Sequence, residues 1–291
     1  MQTIIDKNIE KAASYLRTGE TVAIPTETVY GLAANAYDAS AVAKIFEAKN
    51  RPFFDPLIVH THALDEVYRL VKEIAPPLLV PAQKFWPGPL TLLLPKKDII
   101  PDIVTAGLPN VGIRIPHQAA TLELLKQLDF PIAAPSANPF GYVSPTTAQH
   151  VYDQLNGKIP YILDGGECKV GLESTIVGMQ NNELTIFRIG GLSIENIEEI
   201  VGKVNVNIHH GDNPAAPGML SSHYATHIPM IIGNINENLI KFKANKIGII
   251  SFKNQFSEID AKYCFTLSVN GSLNEAAQHL FAAMRALDNS D

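Results

Sequence analysis

Arg114 lies inside Val111-Gly112-Ile113-Arg114-Ile115-Pro116, a run that otherwise reads as a buried strand. A guanidinium is not left unpaired in an apolar interior, and it keeps its proton there. The fold must therefore bring an anion to this strand, either an internal carboxylate or a bound carboxylate or phosphate. Arg188 repeats the pattern within Leu184-Thr185-Ile186-Phe187-Arg188-Ile189. Two apolar strands with one arginine each point to a cavity built for an anion. By the same logic, Arg114→Leu is expected to leave the fold intact, because an apolar group then fills an apolar position.

The 291 residues suffice for one large domain or two ordinary ones. Hydrophobic residues make up 46% and charged residues 18%, which indicates a folded globular chain. The first residues lack the basic-then-apolar pattern of a signal peptide, and no apolar run reaches the ~18 residues of a membrane span. Cys168 and Cys264 stand far apart without metal spacing and read as reduced thiols, so a cytoplasmic location is expected. Residues 1–200 carry 16 Lys and Arg against 22 Asp and Glu, and residues 201–291 carry seven of each. A general nucleic-acid binder would show a basic excess, so direct nucleic-acid binding is expected to be weak or absent.

Periodicity predicts helices over 7–17, 39–49 with Ser40 as N-cap, 63–74 ended by Pro76-Pro77, 119–128, 146–155, 193–201 and 274–287. It predicts strands at 21–24, 57–60, 90–94, 111–115, 131–134, 160–163, 174–178, 184–189, 228–232 and 246–251. The alternation is not a strict βαβ repeat, which argues for α/β architecture on a twisted mixed sheet. Residues 211–218 break the composition and read as a linker. The expected division is a catalytic domain over 1–208, a linker or lid over 209–228 and a small α/β domain over 229–291.

Four loops at strand ends are rich in hydroxyls and amides: 25–32, 135–146, 171–175 and 216–224. Such groups, with free backbone N–H, suit a phosphate or carboxylate. Any one alone reads equally as a turn or a cap. Lys49-Asn50-Arg51-Pro52 closes a helix, where cations are favourable anyway; as a pair they also make a point charge and a fork for phosphate. His60 alone reads as a structural histidine. Walker A, Gly-x-Gly-x-x-Gly and Cys-x-x-Cys patterns are absent, and His223 with His227 lacks the context of a zinc site.

Together these segments resemble the YrdC-type threonylcarbamoyl-AMP synthases, in the long form with a C-terminal domain. The matching residues are Pro25-Thr26-Glu27-Thr28-Val29-Tyr30-Gly31-Leu32, Lys49-Asn50-Arg51-Pro52, Pro56-Leu57-Ile58-Val59-His60, Trp86-Pro87-Gly88-Pro89, Arg114 and its strand, Ala134-Pro135-Ser136-Ala137-Asn138, Ser144-Pro145-Thr146, Gly171-Leu172-Glu173-Ser174-Thr175, Arg188-Ile189-Gly190, and Pro217-Gly218-Met219 with Ser222-His223-Tyr224-Ala225. The resemblance implies a YrdC-like domain with a central anion-binding cavity and a small Rossmann-like α/β domain. It implies a nucleotidyltransferase that joins L-threonine, bicarbonate and ATP into threonylcarbamoyl-AMP, releasing pyrophosphate. The product feeds the downstream tRNA threonylcarbamoyl transferase machinery.

The resemblance assigns L-threonine to Thr28, His60, Arg114, Ser136 and Ser174. It assigns ATP to Lys49, Arg51, Asp55, Asn110, Asn138, Ser144, Thr146, Arg188 and Tyr224, with Lys49 and Arg51 as the catalytic cations and Mg2+ accompanying the nucleotide. No organic cofactor is implied. Residues 211–227 are expected to form a lid that orders over the nucleotide. Three departures from the family pattern stand out: Asp55 in place of Asn, Thr226 in place of Pro, and an end at Asp291 where the long form generally continues, from which an incomplete C-terminal domain is one expectation. The rival readings are an RNA-binding module and a carbamoyl-transferring maturation factor, whose zinc-finger and acylphosphatase-like modules have no match here.

Overall fold

The structure, a computed structural model, describes residues 2–208, 224–242, 246–257 and 259–290. In chain order the main unit runs β1 (Ile4–Asp6), α1 (Ile9–Arg17), β2 (Val22–Ile24), β3 (Gly31–Asn35), α2 (Ala39–Lys49), β4 (Ile58–His60), α3 (Leu64–Leu70), α4 (Pro76–Phe85), β5 (Leu90–Pro95), α5 (Asp102–Thr105), β6 (Asn110–Arg114), α6 (Ala119–Lys126), β7 (Ile132–Ala133), α7 (Ala148–Leu155), β8 (Tyr161–Leu163), β9 (Thr175–Gln180), β10 (Glu183–Arg188), α8 (Ile194–Val201) and β11 (Asn205–Val206). The strands form one mixed sheet in the order β1-β8-β2-β3-β7-β4-β6-β5-β9-β10-β11. Its apolar side chains feed two clusters. One centres on Leu32, Phe46, Val59 and Leu92, the other on Leu16, Ile24, Leu124 and Tyr161.

The C-terminal unit contains α9 (Ile235–Lys241), β12 (Ile249–Ser251), β13 (Cys264–Thr266) and α10 (Leu273–Asp288). β12 and β13 pair in parallel, as a small α/β unit requires. Helix α10 also packs onto the main unit, where Phe281 and Met284 meet Val29, Tyr142 and Val143.

Several elements depart from the expectation. The N-cap of α2 is Asp38, not Ser40; its carboxylate accepts from the backbone N–H of Ser40 and Ala41, and from the Ser40 hydroxyl. Pro76-Pro77 does not merely end a helix but opens α4, where proline's missing N–H costs nothing. β3 lies where sequence suggested only loop, because Gly31-Leu32-Ala33-Ala34 carries no β-branched residue. The 228–232 run is not a strand: Met230, Ile231 and Ile232 are exposed and unpaired in the sheets described. The linker expected at 211–218, and most of the lid at 211–227, lie outside the described residues.

Gly171 sets how closely α10 approaches. Its φ is +76°, and a Cβ there would lie 2.5 Å from the Gln278 Cα and 2.7 Å from the Ala277 carbonyl oxygen. Both obstacles are backbone and cannot rotate away. Gly171→Ala is expected to lower stability by roughly 2 kcal/mol and to undock α10. Thermal unfolding and amide exchange over 273–288 check this; unchanged exchange there would show that the approach tolerates a side chain.

Candidate active site

The cavity opens between the 25–30 loop, which joins antiparallel β2 and β3, and the ends of β4, β6, β7, β9 and β10. Thr26, Thr28, Arg51, His60, Arg114, Ser136, Glu173, Ser174 and Arg188 line it. His60 and Arg114 are register partners on parallel β4 and β6, so their side chains emerge on the same face.

Arg114 meets the demand read from its sequence with an internal carboxylate. Its Nη2 lies 2.7 Å from Glu27 Oε1, Nη1 donates to Thr28 Oγ1 (2.8 Å) and Nε donates to the Gly88 carbonyl (3.2 Å). Hydrogen bonds use two of its five N–H groups; Nη2 meets Glu27 as an ion pair without hydrogen-bond geometry, and its N–H groups stay uncommitted. Glu27 Oε2 accepts from the His117 backbone N–H. The expected harmlessness of Arg114→Leu does not survive this geometry. Glu27 is buried, and stripping it of its partner costs about 3–5 kcal/mol.

His60 is fully enclosed. Its Nδ1 lies 3.2 Å from the Ile58 carbonyl. A carbonyl only accepts, so Nδ1 carries the hydrogen and Nε2 keeps a lone pair. Burial, reinforced by the charge of Arg114, pulls its pKa down to about 3. His60 is thus a neutral acceptor. Ser136 bridges Gly31 through the backbone, and the Ser174 hydroxyl shares hydrogen bonds with Thr91 Oγ1 (2.7 Å) and Arg188 Nη2 (3.0 Å).

The other end is cationic. Asn50, left-handed at φ +52°, terminates α2; its N–H reaches the Glu47 carbonyl and that of Arg51 reaches Phe46. This reversal places Lys49 and Arg51 around one corner. Arg51 faces the cavity while donating to the Asp55 and Pro56 carbonyls, and Nη2 pairs with the Asp55 carboxylate at 2.8 Å. Burial outweighs that attraction and still pushes the Asp55 carboxyl up. Lys49 stands behind the cavity wall rather than in it. Its ammonium is committed to the carbonyls of Ser136 and Asn138, and burial drives its pKa well below the usual lysine range.

Arg188 donates through Nε and Nη2 to the Ser174 carbonyl. Ser144 donates to Glu173, the one carboxylate lining the cavity among the described residues. Tyr224, held at φ +61° and stacked on Phe281, also reaches Glu173; burial, then that carboxylate, raises its pKa. Asn138 donates to the Pro139 and Tyr142 carbonyls and leaves a buried Oδ1 without a partner. Thr146 contacts His150 Nδ1 through its N–H and hydroxyl, and does not reach the cavity. Asn110 opens β6 four residues before Arg114, opposite Pro95 of β5, and is likewise outside the lining.

Glu27, Glu173 and Arg285 were not singled out from sequence. Glu27 had a signal, as the lone charge in an otherwise neutral loop. Arg285 had only its place on an apolar helix face. His223 lies outside the described residues. Among the described residues no three His, Cys, Asp or Glu side chains converge as a metal cage, and no helix is long and apolar enough to cross a membrane.

Residues 14–190 match the family model Sua5_yciO_yrdC, described as "Telomere recombination", and residues 192–291 match "Threonylcarbamoyl-AMP synthase, C-terminal domain". The threonylcarbamoyl-AMP synthase of Pyrococcus abyssi is 40% identical over 99% of this chain and 88% of its own length. That of Bacillus subtilis is 37% identical over 98% of this chain and 86% of its own. A crystal structure of Pyrococcus abyssi Sua5 complexed with L-threonine superposes with a TM-score of 0.91 at 38% identity, covering all of this chain and 89% of that one. The chain belongs to the threonylcarbamoyl-AMP synthase family, in the form that carries the C-terminal domain.

Proposed function

We propose that this cavity joins L-threonine, bicarbonate and ATP into threonylcarbamoyl-AMP, releasing pyrophosphate, for threonylcarbamoyladenosine modification of tRNA beside the anticodon. One observation carries the reading: a cavity whose one end holds a balanced ion pair and a neutral histidine, while its other end holds cations in excess. The first suits a zwitterionic amino acid and the second a triphosphate. The threonine carboxylate is assigned to the uncommitted N–H groups of Arg114, and its hydroxyl or ammonium to Nε2 of His60 and the hydroxyls of Thr28, Ser136 and Ser174.

Threonine's amine attacks the carbon of bicarbonate, and loss of water leaves a carbamate. A carbamate oxygen then attacks the α-phosphorus of ATP, and the bond to pyrophosphate breaks. The protein contributes position and charge: Arg51 and Arg188 face the departing pyrophosphate, with Lys49 behind them. Mg2+ binds through one or two carboxylates plus substrate phosphates, so an ion brought by ATP needs little from the protein. Glu173 would hold it, and it would neutralise phosphate charge. The product passes to the transferase that modifies tRNA, in the cytoplasm. With net charge -6, the chain hands over a small molecule rather than holding the tRNA itself. Threonine- and bicarbonate-dependent pyrophosphate release from ATP is the direct test; its absence would remove the reading.

Three outcomes follow for the site. The double variant Arg114→Leu with Glu27→Gln should recover most of the stability lost in Arg114→Leu alone, yet bind threonine at least ~10-fold more weakly in calorimetry. Wild-type affinity in the double variant would remove Arg114 from the threonine site. Arg51→Lys should weaken ATP use by roughly 10- to 100-fold, because an ammonium cannot serve the Asp55 and Pro56 carbonyls and a phosphate together. Normal turnover would reduce Arg51 to a helix-end cation.

The third outcome concerns pH. His60 has a depressed folded pKa, so its neutral form holds above the ordinary histidine range and is lost only as pH falls towards 3. Threonine affinity should therefore cross pH 7.5 to 5 without the inflection near ~6.5 of an ordinary histidine. An inflection there would mean that His60 titrates in the site.

A further inference from the structure

Arg285 belongs to α10, far in sequence from every loop of the cavity, yet it is 2% exposed. Its Nε donates to the Ser144 carbonyl (3.1 Å), Nη1 to the His150 carbonyl (3.4 Å), and Nη2 to the Val143 carbonyl and to Gln154 Oε1 (2.9 Å). The guanidinium also lies over the Tyr142 ring, 5.1 Å from its centroid. No carboxylate pairs with it among the described ion pairs. A fork that donates to the 143–144 backbone and to His150 and Gln154 of α7 fixes that loop against the helix.

The loop is the one that carries Ser144. From Ser144 a hydroxyl runs to Glu173, and Glu173 meets Tyr224 at the cavity's cationic end. Tyr224 stacks on Phe281, one helical turn before Arg285 on the same helix. The loop is also closed on itself by Asn138 Nδ2, which donates to the Tyr142 carbonyl. Arg285 thus holds the outer half of a loop whose inner half is held by Lys49.

We propose that Arg285 is a positioning residue for the nucleotide. By gripping the Val143 and Ser144 carbonyls it sets the Ser144 hydroxyl, and through Glu173 the Tyr224 phenol, at the triphosphate end. The C-terminal unit then forms part of the ATP site without its helix touching ATP. This rests on the reading of the cationic end as the ATP site. Threonine, bound at the other end, does not depend on Arg285.

The test is calorimetry on the full chain with a nonhydrolysable ATP analogue and, separately, with L-threonine. The proteins are wild type, Arg285→Met, Arg285→Lys, Ser144→Ala and the double variant Arg285→Lys with Ser144→Ala. Arg285→Lys keeps the charge and reaches one carbonyl at most, so it remains informative where Arg285→Met fails to fold. The expected result for Arg285→Lys is analogue binding about 10-fold weaker, with threonine binding within about twofold of wild type. In the Ser144→Ala background the same substitution should add less than about twofold, because both act through one hydroxyl. Wild-type analogue affinity in Arg285→Lys overturns the proposal and leaves charge alone as its role. Equal weakening of both ligands overturns it in favour of general loosening, and independent, multiplying effects overturn the route through Ser144. A wild-type protein that binds threonine but not the analogue overturns the ATP reading itself, and this inference with it.

Discussion

Buried cations that outnumber the carboxylates beside them are the constraint around which this cavity is built. Lys49, Arg51, Arg188 and Arg285 act on one another across one end, with Asp55 and Glu173 as the carboxylates in reach. Such a cluster repels itself, and burial adds to the penalty. The fold meets it with backbone carbonyls: Ser136 and Asn138 for Lys49, Asp55 and Pro56 for Arg51, Ser174 for Arg188, and Val143, Ser144 and His150 for Arg285. A carbonyl satisfies an N–H without cancelling its charge. Hydrogen bonding is therefore settled within the protein, while the positive charge remains, which is what the proposed triphosphate would answer. The loops at this end owe their shape to those carbonyls, and so does the docking of α10.

The opposite end is solved differently. Arg114 is balanced by Glu27, and His60 is stripped of its proton by burial. Nothing there offers net charge. A zwitterion brings one charge of each sign and needs a site that neither attracts nor repels it as a whole. On the proposed reading the two ends divide the labour between an amino acid and a phosphate chain, and the sheet places both ends within one cavity.

Much of this was legible in the chain. Arg114 and Arg188 announced themselves because a charge inside an apolar run has no bland explanation. The helix 39–49 and the site loops followed from periodicity and turn chemistry. What escaped had physical reasons. β3 is built from glycine, leucine and alanine, whose propensities do not favour a strand; its pairing with β2 and β7 decides the matter. Lys49 and Arg51 look like twins in sequence, yet the left-handed turn at Asn50 sends one behind the wall and the other into the cavity. Glu27 shows itself only as a lone charge in its loop, not as the partner of Arg114, because a pairing across 87 positions has no local signature. Arg285 is the extreme case, since the carbonyls it serves lie about half a chain away.

The seating of α10 on the 139–146 and 171–173 loops has a consequence for how the protein is made. A chain leaves the ribosome from its N-terminus, and domains generally fold as units in that order. The eleven-stranded sheet is complete once β11 has emerged, and with it the Arg51, His60, Arg114, Glu173 and Arg188 side chains of the cavity. Arg285 and Phe281 come some 80 residues later. At synthesis rates of about 5–20 residues per second, the nascent enzyme spends several seconds with its sheet formed and its Ser144 loop not yet gripped.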